Sequence, residues 1–172
     1  MRPHDRKPCA MAGIVYLKLT AKSQGVIEGK SVNPDFSREN AIECTSFRIN
    51  ITKPHDRNTG LSTGRRYYEP ITFVKDIDKA TPRIARALVT NEEITEAEFR
   101  FFDSTNGTET LVYTVTTQKG TITSQRQFVS DTIDPALATR PPEEEVGLVF
   151  QSITGTWADG NIAWADNWGA TT

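Results

Sequence analysis

Apolar and polar residues alternate along much of the chain, which is the pattern of strands that bury one face. Turn signals such as Asn106-Gly107 and Asp159-Gly160 separate several of these runs, and Gly120 predicts a bulge or a second turn. The clearest runs cover residues 14–19, 41–51, 97–101, 111–115 and 146–150. Roughly seven to nine strands fit this pattern, so it predicts a mainly β fold, either an antiparallel barrel or a sandwich.

The run at residues 41–51 changes phase along its length. Cys44 occupies an even position, whereas Phe47 and Ile49 occupy odd ones. Because a one-residue slip exchanges the buried and exposed faces of a strand, the pattern predicts a bulge near Thr45-Ser46 that restores the register.

The sequence predicts a single helix after residue 80. Thr81 is placed to be its N-cap, and Pro82 to be the first helical residue, where a missing N–H is harmless. Ile84 and Leu88 are four residues apart and share one face, and Asn91 is a suitable stop. One amphipathic helix on a β domain typically covers an open side of the sheet, and we expect it there.

Two long polar stretches interrupt the strand pattern. Residues 52–66 contain two glycines and no periodicity, and residues 130–145 contain Pro135, Pro141, Pro142 and a run of three glutamates. Loops of that length in compact domains are usually functional or disordered. Both stretches are therefore predicted to be long loops, and the first is a candidate functional segment.

Composition and charge narrow the class of protein. The chain has 172 residues, of which 37% are apolar and 24% charged, as expected for one globular domain. A net charge of −2 and a pI of about 5.7 give no general attraction to nucleic acid, so we expect no nucleic-acid partner. No apolar run approaches the roughly 18 residues of a spanning helix, so we expect no membrane insertion. The polar N-terminus lacks the apolar core of a secretory signal, and Cys9 and Cys44 are too few for a disulfide scaffold.

Catalytic and metal-binding patterns are weak in this sequence. His4 and His55 lie in two copies of the tetrapeptide Pro-His-Asp-Arg, and a metal site built from both copies is one interpretation. The stretch from Gly60 to Arg65 lacks the Lys-Ser/Thr pair of a phosphate-binding loop, and no Gly-x-Ser-x-Gly elbow occurs. We therefore expect no metal, no cofactor and no enzyme activity.

The charged joint at residues 75–79, between strand and helix, contains the carboxylate pair that could be catalytic. Asp76 and Asp78 are flanked there by Lys75 and Lys79. A glycosidase dyad needs one carboxyl group in an apolar pocket, whereas flanking lysines neutralise a solvated pair. The pattern favours a structural, salt-bridged joint that faces solvent.

Three tryptophans lie close to the C-terminal end. Core packing is the favoured interpretation for Trp157, and interface packing is an alternative for Trp164 and Trp168.

Three longer stretches together resemble one known family. MAGIVYLKL at residues 11–19, FVKDIDKATPRIARAL at residues 73–88 and EEVGLVFQSITGTWADGNIAWADNW at residues 144–168 are similar to the Hcp family. These haemolysin-coregulated proteins form the tube of bacterial type VI secretion. The resemblance runs from about Met11 to Trp168, and its most specific part is the order of strand, charged joint and Thr-Pro helix start.

The resemblance implies a fold and an assembly. Members are antiparallel β-barrels of two sheets with one short α-helix packed at the side. They form homohexameric rings that stack into a tube, within a contractile sheath and beneath a VgrG-like spike, and secreted effectors ride in the lumen. Members leave the bacterial cytoplasm without a cleaved signal peptide. The domain is then residues 11–172, and residues 1–10 are a disordered extension or a tag.

The resemblance also assigns two candidate sites. The lumen-facing segment after the first strand corresponds to Gly29-Lys30-Ser31, which makes Ser31 the candidate cargo contact. The extended loop that reaches the neighbouring ring corresponds to residues 52–66. Its candidate inter-ring residues are His55, Asp56, Arg57, Asn58, Thr59, Gly60 and Leu61.

Two other functions remain open from the sequence. A monomeric or dimeric β-barrel module with a small-molecule pocket fits the same strand pattern. A small hydrolase that uses Asp76 and Asp78 is a more remote alternative.

Overall fold

The computed structural model describes residues 11–32, 38–105, 108–134 and 137–168. These ranges form mainly strands, with one α-helix and a short 3-10 turn at Asp159–Asn161. The strands are β1 (Met11–Ala21), β2 (Gly25–Ile27), β3 (Ile42–Arg48), β4 (Ile51–Thr52), β5 (Tyr67–Tyr68), β6 (Ile71–Asp76), β7 (Glu93–Thr105), β8 (Thr108–Phe128), β9 (Glu143–Val149), β10 (Ser152–Trp157) and β11 (Ile162–Asn167), and the helix is α1 (Thr81–Val89). The expected extension at residues 1–10 and the predicted turn at Asn106-Gly107 lie outside the described residues.

Six strands close into an antiparallel barrel. The strands β8, β7, β1, β3, β6 and β9 follow one another in this order, and β9 pairs back onto β8. A short strand, β2, lies beside β1, and β4 and β5 form a small separate sheet. Two further strands, β10 and β11, extend outward from β8, and we call this pair the flap. The predicted class, an antiparallel β-barrel of two sheets with one short helix, is confirmed.

The barrel interior is filled by side chains. Strand alternation turns Ile71, Phe73 and Lys75 of β6 inward, and all three are 0% exposed. The rings of Phe73 and Phe99 meet edge to face, with centroids 5.6 Å apart. The centre of the barrel is therefore a packed core, and one of its inward positions is a lysine.

The predicted bulge in β3 is confirmed. Cys44 pairs with Lys75 of β6, whereas Ser46 pairs with Val74, so Thr45 is the extra residue. This bulge moves the later apolar residues of β3 onto the face that the earlier ones occupy.

The helix begins one residue earlier than predicted, so Pro82 is its second residue and not its first. Ala80 is the N-cap and Thr81 is the first helical residue, so the prediction that Thr81 caps the helix is wrong. Asp78 replaces a side-chain cap in part, because its Oδ1 accepts the N–H of Ala80 at 2.9 Å. The Thr81 hydroxyl accepts the N–H of Asp78 at 3.1 Å. The helix start is thus tied to the joint.

The helix ends at the predicted stop. Asn91 has a φ of 51°, and its N–H donates to the Leu88 carbonyl, while the N–H of Glu92 donates to the Ala87 carbonyl. This pair of bonds is a Schellman motif with asparagine in the left-handed position. Across the part of the chain that the structure describes, no helix is long and apolar enough to cross a membrane.

Strand β8 is 21 residues long and changes partner along its length. It pairs with β10 up to Gln118 and with β9 from Thr121 onward. Gly120 lies at the change, where a Cβ atom would be 2.7 Å from the Val149 carbonyl oxygen, and Lys119 has a φ of 52°. The register with β7 is unbroken here, so the prediction of a bulge or turn at Gly120 is wrong.

The second long loop is shorter than predicted. Strand β9 begins at Glu143, so the three glutamates belong to the strand, and Glu144 is 0% exposed. Pro135 lies outside the described residues.

Candidate assembly surfaces

The joint is built around a buried lysine. Lys75 Nζ lies 2.7 Å from Asp78 Oδ1 and 2.9 Å from Glu144 Oε1, and it donates to the Asp76 carbonyl at 2.7 Å. Glu144 lies directly opposite Lys75 in the β6–β9 register, and its other oxygen accepts a bond from Gln125 Nε2 at 2.6 Å. The predicted salt-bridged joint is confirmed, but the prediction that it faces solvent is wrong for Lys75, because alternation turns this side chain into the core and β9 supplies a further carboxylate.

The outward side chains of the joint contact residues 28–32, which we call the 28–32 segment. Asp76 forms an ion pair with Lys30 Nζ, and the backbone N–H of Lys30 donates to Asp78 Oδ2 at 3.1 Å. Lys79 Nζ lies 2.9 Å from Asn40 Oδ1, in the chain that returns beside this segment. The hydrogen bond to Asp76 raises the pKa of Lys30. Both faces of the joint are thus occupied by intramolecular contacts.

The candidate cargo residue Ser31 is buried in the structure. Its exposure is 3%, and its backbone pairs with Asn40 and Ala41. The neighbouring Lys30 is exposed, and Val32 is 88% exposed. In the single chain, the side chains that this segment offers to a partner are therefore those of Glu28, Lys30 and Val32.

Residues 53–66, which we call the arm, form an ordered hairpin beyond β4 and β5. His55 and Ser62 form an isolated antiparallel bridge, and the N–H of Asp56 donates to the Leu61 carbonyl at 2.8 Å. The N–H of Gly60 donates to the Asp56 carbonyl at 2.8 Å, and Gly60 has the positive φ of 70° that this turn requires. The sequence showed no periodicity here because a narrow hairpin has no buried face.

The seven candidate inter-ring residues lie together at the tip of the arm. All are exposed except Asp56, which is half-buried, and Leu61 is 68% exposed. Lys53, Arg57 and Arg65 are exposed, and no salt bridge of the described residues includes them. The arm thus presents one exposed apolar side chain, Leu61, among unpaired positive charges.

The base of the arm is anchored to β11 by a residue that the sequence did not single out. The Arg66 guanidinium donates two hydrogen bonds to Asp166, and the Tyr68 hydroxyl donates a third. Burial opposes the charged carboxylate, but these donors outweigh it and lower the pKa of Asp166. The bond to Asp166 raises the pKa of Arg66, whereas burial and then the carboxylate raise that of Tyr68. Sequence reasoning missed this contact because Arg66 and Asp166 are 100 residues apart.

The flap presents aromatic side chains to solvent. Trp157 is 46% exposed, so the prediction that it packs in the core is wrong, and Ile162 and Trp164 are 70% and 39% exposed. Trp164 lies over Gly155, where a Cβ atom would be 2.3 Å from its Nε1, and it donates a hydrogen bond to the Tyr113 hydroxyl at 3.0 Å. Among the described strands, β11 pairs only with β10, so its outer edge is open. Interface packing of Trp164 and of Trp168 stays a prediction.

Among the described residues, the side chains that catalysis or metal binding would use are either paired with other side chains or not clustered together. The described residues contain no group of three or more His, Cys, Asp or Glu side chains that could hold a metal. His55 is exposed in the arm, and His4 lies outside the described residues. Burial raises the pKa of Cys44, so that thiol is an inert core group. Asp78 is neutralised by Lys75, which is incompatible with a free carboxylate dyad.

One known protein family matches the chain from within β1 to the end of β10. The family described as "Type VI secretion system effector, Hcp" matches residues 16–157. The chain belongs to the Hcp family. This Hcp chain is 26% identical over 166 residues to the "Major exported protein" of Pseudomonas aeruginosa, covering 92% of this chain and 96% of that protein.

Solved Hcp structures share the architecture. A variant of Hcp1 from the E. coli EAEC 042 pathovar matches with a TM-score of 0.76 and 28% identity, over 90% of this chain and 97% of that chain. The secreted protein Hcp3 of Pseudomonas aeruginosa matches with a TM-score of 0.73 and 20% identity, over 92% and 100% of the two chains. The resemblance inferred from the sequence is therefore confirmed.

Proposed function

We propose that this Hcp chain is a structural subunit of the type VI secretion inner tube, forming hexameric rings that stack and carry effectors in their lumen. The observation that carries the proposal is the family match over residues 16–157, which the Hcp1 structure supports at 28% identity. The protein acts in assembly and transport rather than as an enzyme, and it requires no cofactor.

The flap is the proposed contact between neighbouring subunits of a ring. Residues 151–165 contain one charged side chain, Asp159, beside the exposed Trp157 and Trp164. Interface cores are depleted of charge and enriched in aromatic residues, and a few such residues supply most of the binding energy. A closed ring repeats one heterologous contact, so the open edge of β11 meets a different surface of the next copy.

The arm is the proposed contact between stacked rings. His55, Asp56, Arg57, Asn58, Thr59, Gly60 and Leu61 reach the neighbouring ring at its tip. A single small hairpin binds weakly, but six copies in one ring act together, so stacking is strong only between complete rings. The unpaired charges of Lys53, Arg57 and Arg65 favour an acidic acceptor and make stacking weaker at high salt.

Further partners follow from the same assignment. The tube lies within a contractile sheath and beneath a VgrG-like spike, and the 28–32 segment, in which Ser31 is buried, faces the effectors in the lumen with its exposed side chains. The Pseudomonas aeruginosa relative is named an exported protein, which supports export of this chain from the bacterial cytoplasm without a cleaved signal peptide.

Negative-stain electron microscopy tests the proposal, with light scattering across a concentration series. Six-fold rings with an open centre are expected, and tubes are expected only at high concentration or with other components. Single-subunit particles at every concentration would overturn the proposal. A small-molecule module would then be the better account, and the cavity of about 100 Å³ beside Arg65, Tyr68 and Trp168 would be its first candidate pocket.

A further inference from the structure

The joint makes two sets of contacts, one in the buried core and one with the neighbouring 28–32 segment. Lys75 and Asp78 join Glu144 and Thr81, and these contacts tie β6 to β9 and to the start of the helix. The side chains of Asp76 and Lys79 take no part in that buried network, although the Asp76 carbonyl accepts a hydrogen bond from Lys75. Asp76 binds Lys30, and Lys79 binds Glu28 within the 28–32 segment and Asn40 in the chain that returns beside it.

The other side of the 28–32 segment is held by backbone. The N–H of Gly29 donates to the Asn40 carbonyl at 2.7 Å, and the N–H of Ser31 donates to the Ala41 carbonyl at 3.2 Å. A Cβ atom on Gly29 would lie 2.5 Å from the Ala41 carbonyl oxygen, so the two backbones are in direct contact. The segment is therefore clasped between residues 40–41 and the joint.

Each charged side chain on the outward face of the joint lies opposite a side chain of opposite charge in the 28–32 segment. Negative Asp76 meets positive Lys30, and positive Lys79 lies 3.4 Å from negative Glu28. A shift of the segment along the joint would bring like charges together, which disfavours every other register. The N–H of Lys30, bound to Asp78 Oδ2, fixes the same alignment independently of these side chains.

We infer that the joint is a mount for the 28–32 segment, with Asp76, Asp78 and Lys79 as positioning residues that fix where Lys30 and Val32 stand on the surface. The inference rests on the proposed function only for the statement that this surface faces cargo. Lys75, Asp78 and Glu144 form the buried network without the side chains of Asp76 and Lys79, so we expect these two side chains to contribute little to barrel stability. Two side chains of the joint, those of Asp76 and Lys79, thus act on the segment rather than on the barrel.

Hydrogen–deuterium exchange with mass spectrometry tests the mount, using the full chain. Asp76→Asn removes the ion pair with Lys30, and Lys79→Met removes the contacts with Glu28 and Asn40. Partly exposed ion pairs contribute up to about 1 kcal/mol, so each variant is expected to speed exchange of the amides at residues 29–31 by about two- to fivefold. Exchange in β6 and β9 should stay unchanged. Asp159→Asn, which makes the same charge change on an exposed turn, is the control and should leave residues 29–31 unaffected.

A charge swap separates positioning from a general loss of stability. Lys30→Asp combined with Asp76→Lys restores the pair in reverse and should return exchange at residues 29–31 towards the parent rate, whereas each single variant should not. Unchanged exchange in Asp76→Asn and Lys79→Met, or a swap that rescues nothing, would overturn the mount. Electron microscopy of the same samples reports the rings separately. Absent rings with the exchange effect intact would end the proposed transport role and leave the mount supported.

Discussion

Lys75 and Glu144 face each other across β6 and β9, with Lys75 Nζ 2.9 Å from Glu144 Oε1 and both residues 0% exposed. Within the described residues, no buried side-chain nitrogen or oxygen lacks a hydrogen-bond partner. A buried ion pair is tolerated because each charge has a complete set of partners, and removing one charge leaves the other uncompensated. The strand-to-helix joint is therefore a sensitive point of the fold.

Glu144→Gln is expected to lower the free energy of unfolding by about 3 kcal/mol, because it leaves the buried Lys75 with one carboxylate instead of two. Urea denaturation measures this change. Glu145→Gln is the control, since Glu145 is only half-buried, and it should change stability by less than about 0.5 kcal/mol.

A double variant, Lys75→Met with Glu144→Leu, checks the physical reason. It should cost less than the sum of Lys75→Met and Glu144→Leu made singly, because neither of these two charges is then buried without the other, while Asp78 loses its cation in the double variant and in Lys75→Met alike. A double variant that unfolds as readily as the sum of its single variants would contradict this account.

Asp166→Asn is expected to loosen the arm without unfolding the barrel. The change weakens the bonds from Arg66 and Tyr68 that hold the base of the arm, so exposed sites at Arg57 and Arg65 become better trypsin substrates. Limited proteolysis followed by mass spectrometry should show faster cleavage there. Equal cleavage in Asp166→Asn and in the exposed control Asp159→Asn would show that Asp166 does not anchor the arm.

The same carboxylate predicts a pH dependence. The pKa of Asp166 is lower in the folded chain than in the unfolded one, so its contribution to stability is complete above the ordinary aspartate pKa of about 3.9. The contribution is lost as the pH falls through the lower folded pKa. The difference in the free energy of unfolding between the parent and Asp166→Asn should therefore be constant above about pH 5 and shrink in acid. A difference that grows on acidification would refute the assignment.

Trp164→Ala is expected to weaken ring assembly. Truncating a central aromatic residue of an interface commonly removes about 2 kcal/mol, so half-assembly should need at least about tenfold more protein. Size-exclusion chromatography with light scattering measures this. Val89→Ala is the control, because Val89 is 80% exposed on the helix and should not affect assembly. Unchanged assembly of Trp164→Ala would exclude the flap as the ring contact and leave the ring itself intact.

Local signals predicted local structure well. The phase slip after Cys44 located the bulge at Thr45, because side chains alternate strictly between the two faces of a strand. Asn91 marked the helix end, because asparagine tolerates the left-handed backbone that a Schellman motif needs. Both depend on residues that are neighbours in the sequence.

Contacts between distant residues explain the wrong predictions. The joint was predicted to be solvated because its own lysines could neutralise its carboxylates, but burial of Lys75 depends on Glu144, which follows 69 residues later. Trp157 was assigned to the core from residue type alone, although its strand extends beyond the barrel as part of the flap. The exposure of each residue is decided by strand pairing, which the spacing of single residues does not reveal.

Strand β8 belongs both to the flap and to the barrel, since it pairs with β10 up to Gln118 and with β9 from Thr121. No loop or hinge separates these two parts of the strand. A force that pulls the flap along β8 therefore acts in shear on many backbone hydrogen bonds at once. It is transmitted directly to the β8–β9 pairing that closes the barrel. If the proposed tube forms, an axial force on one subunit therefore reaches the next through a continuous strand, with no flexible segment of β8 between the flap and the barrel.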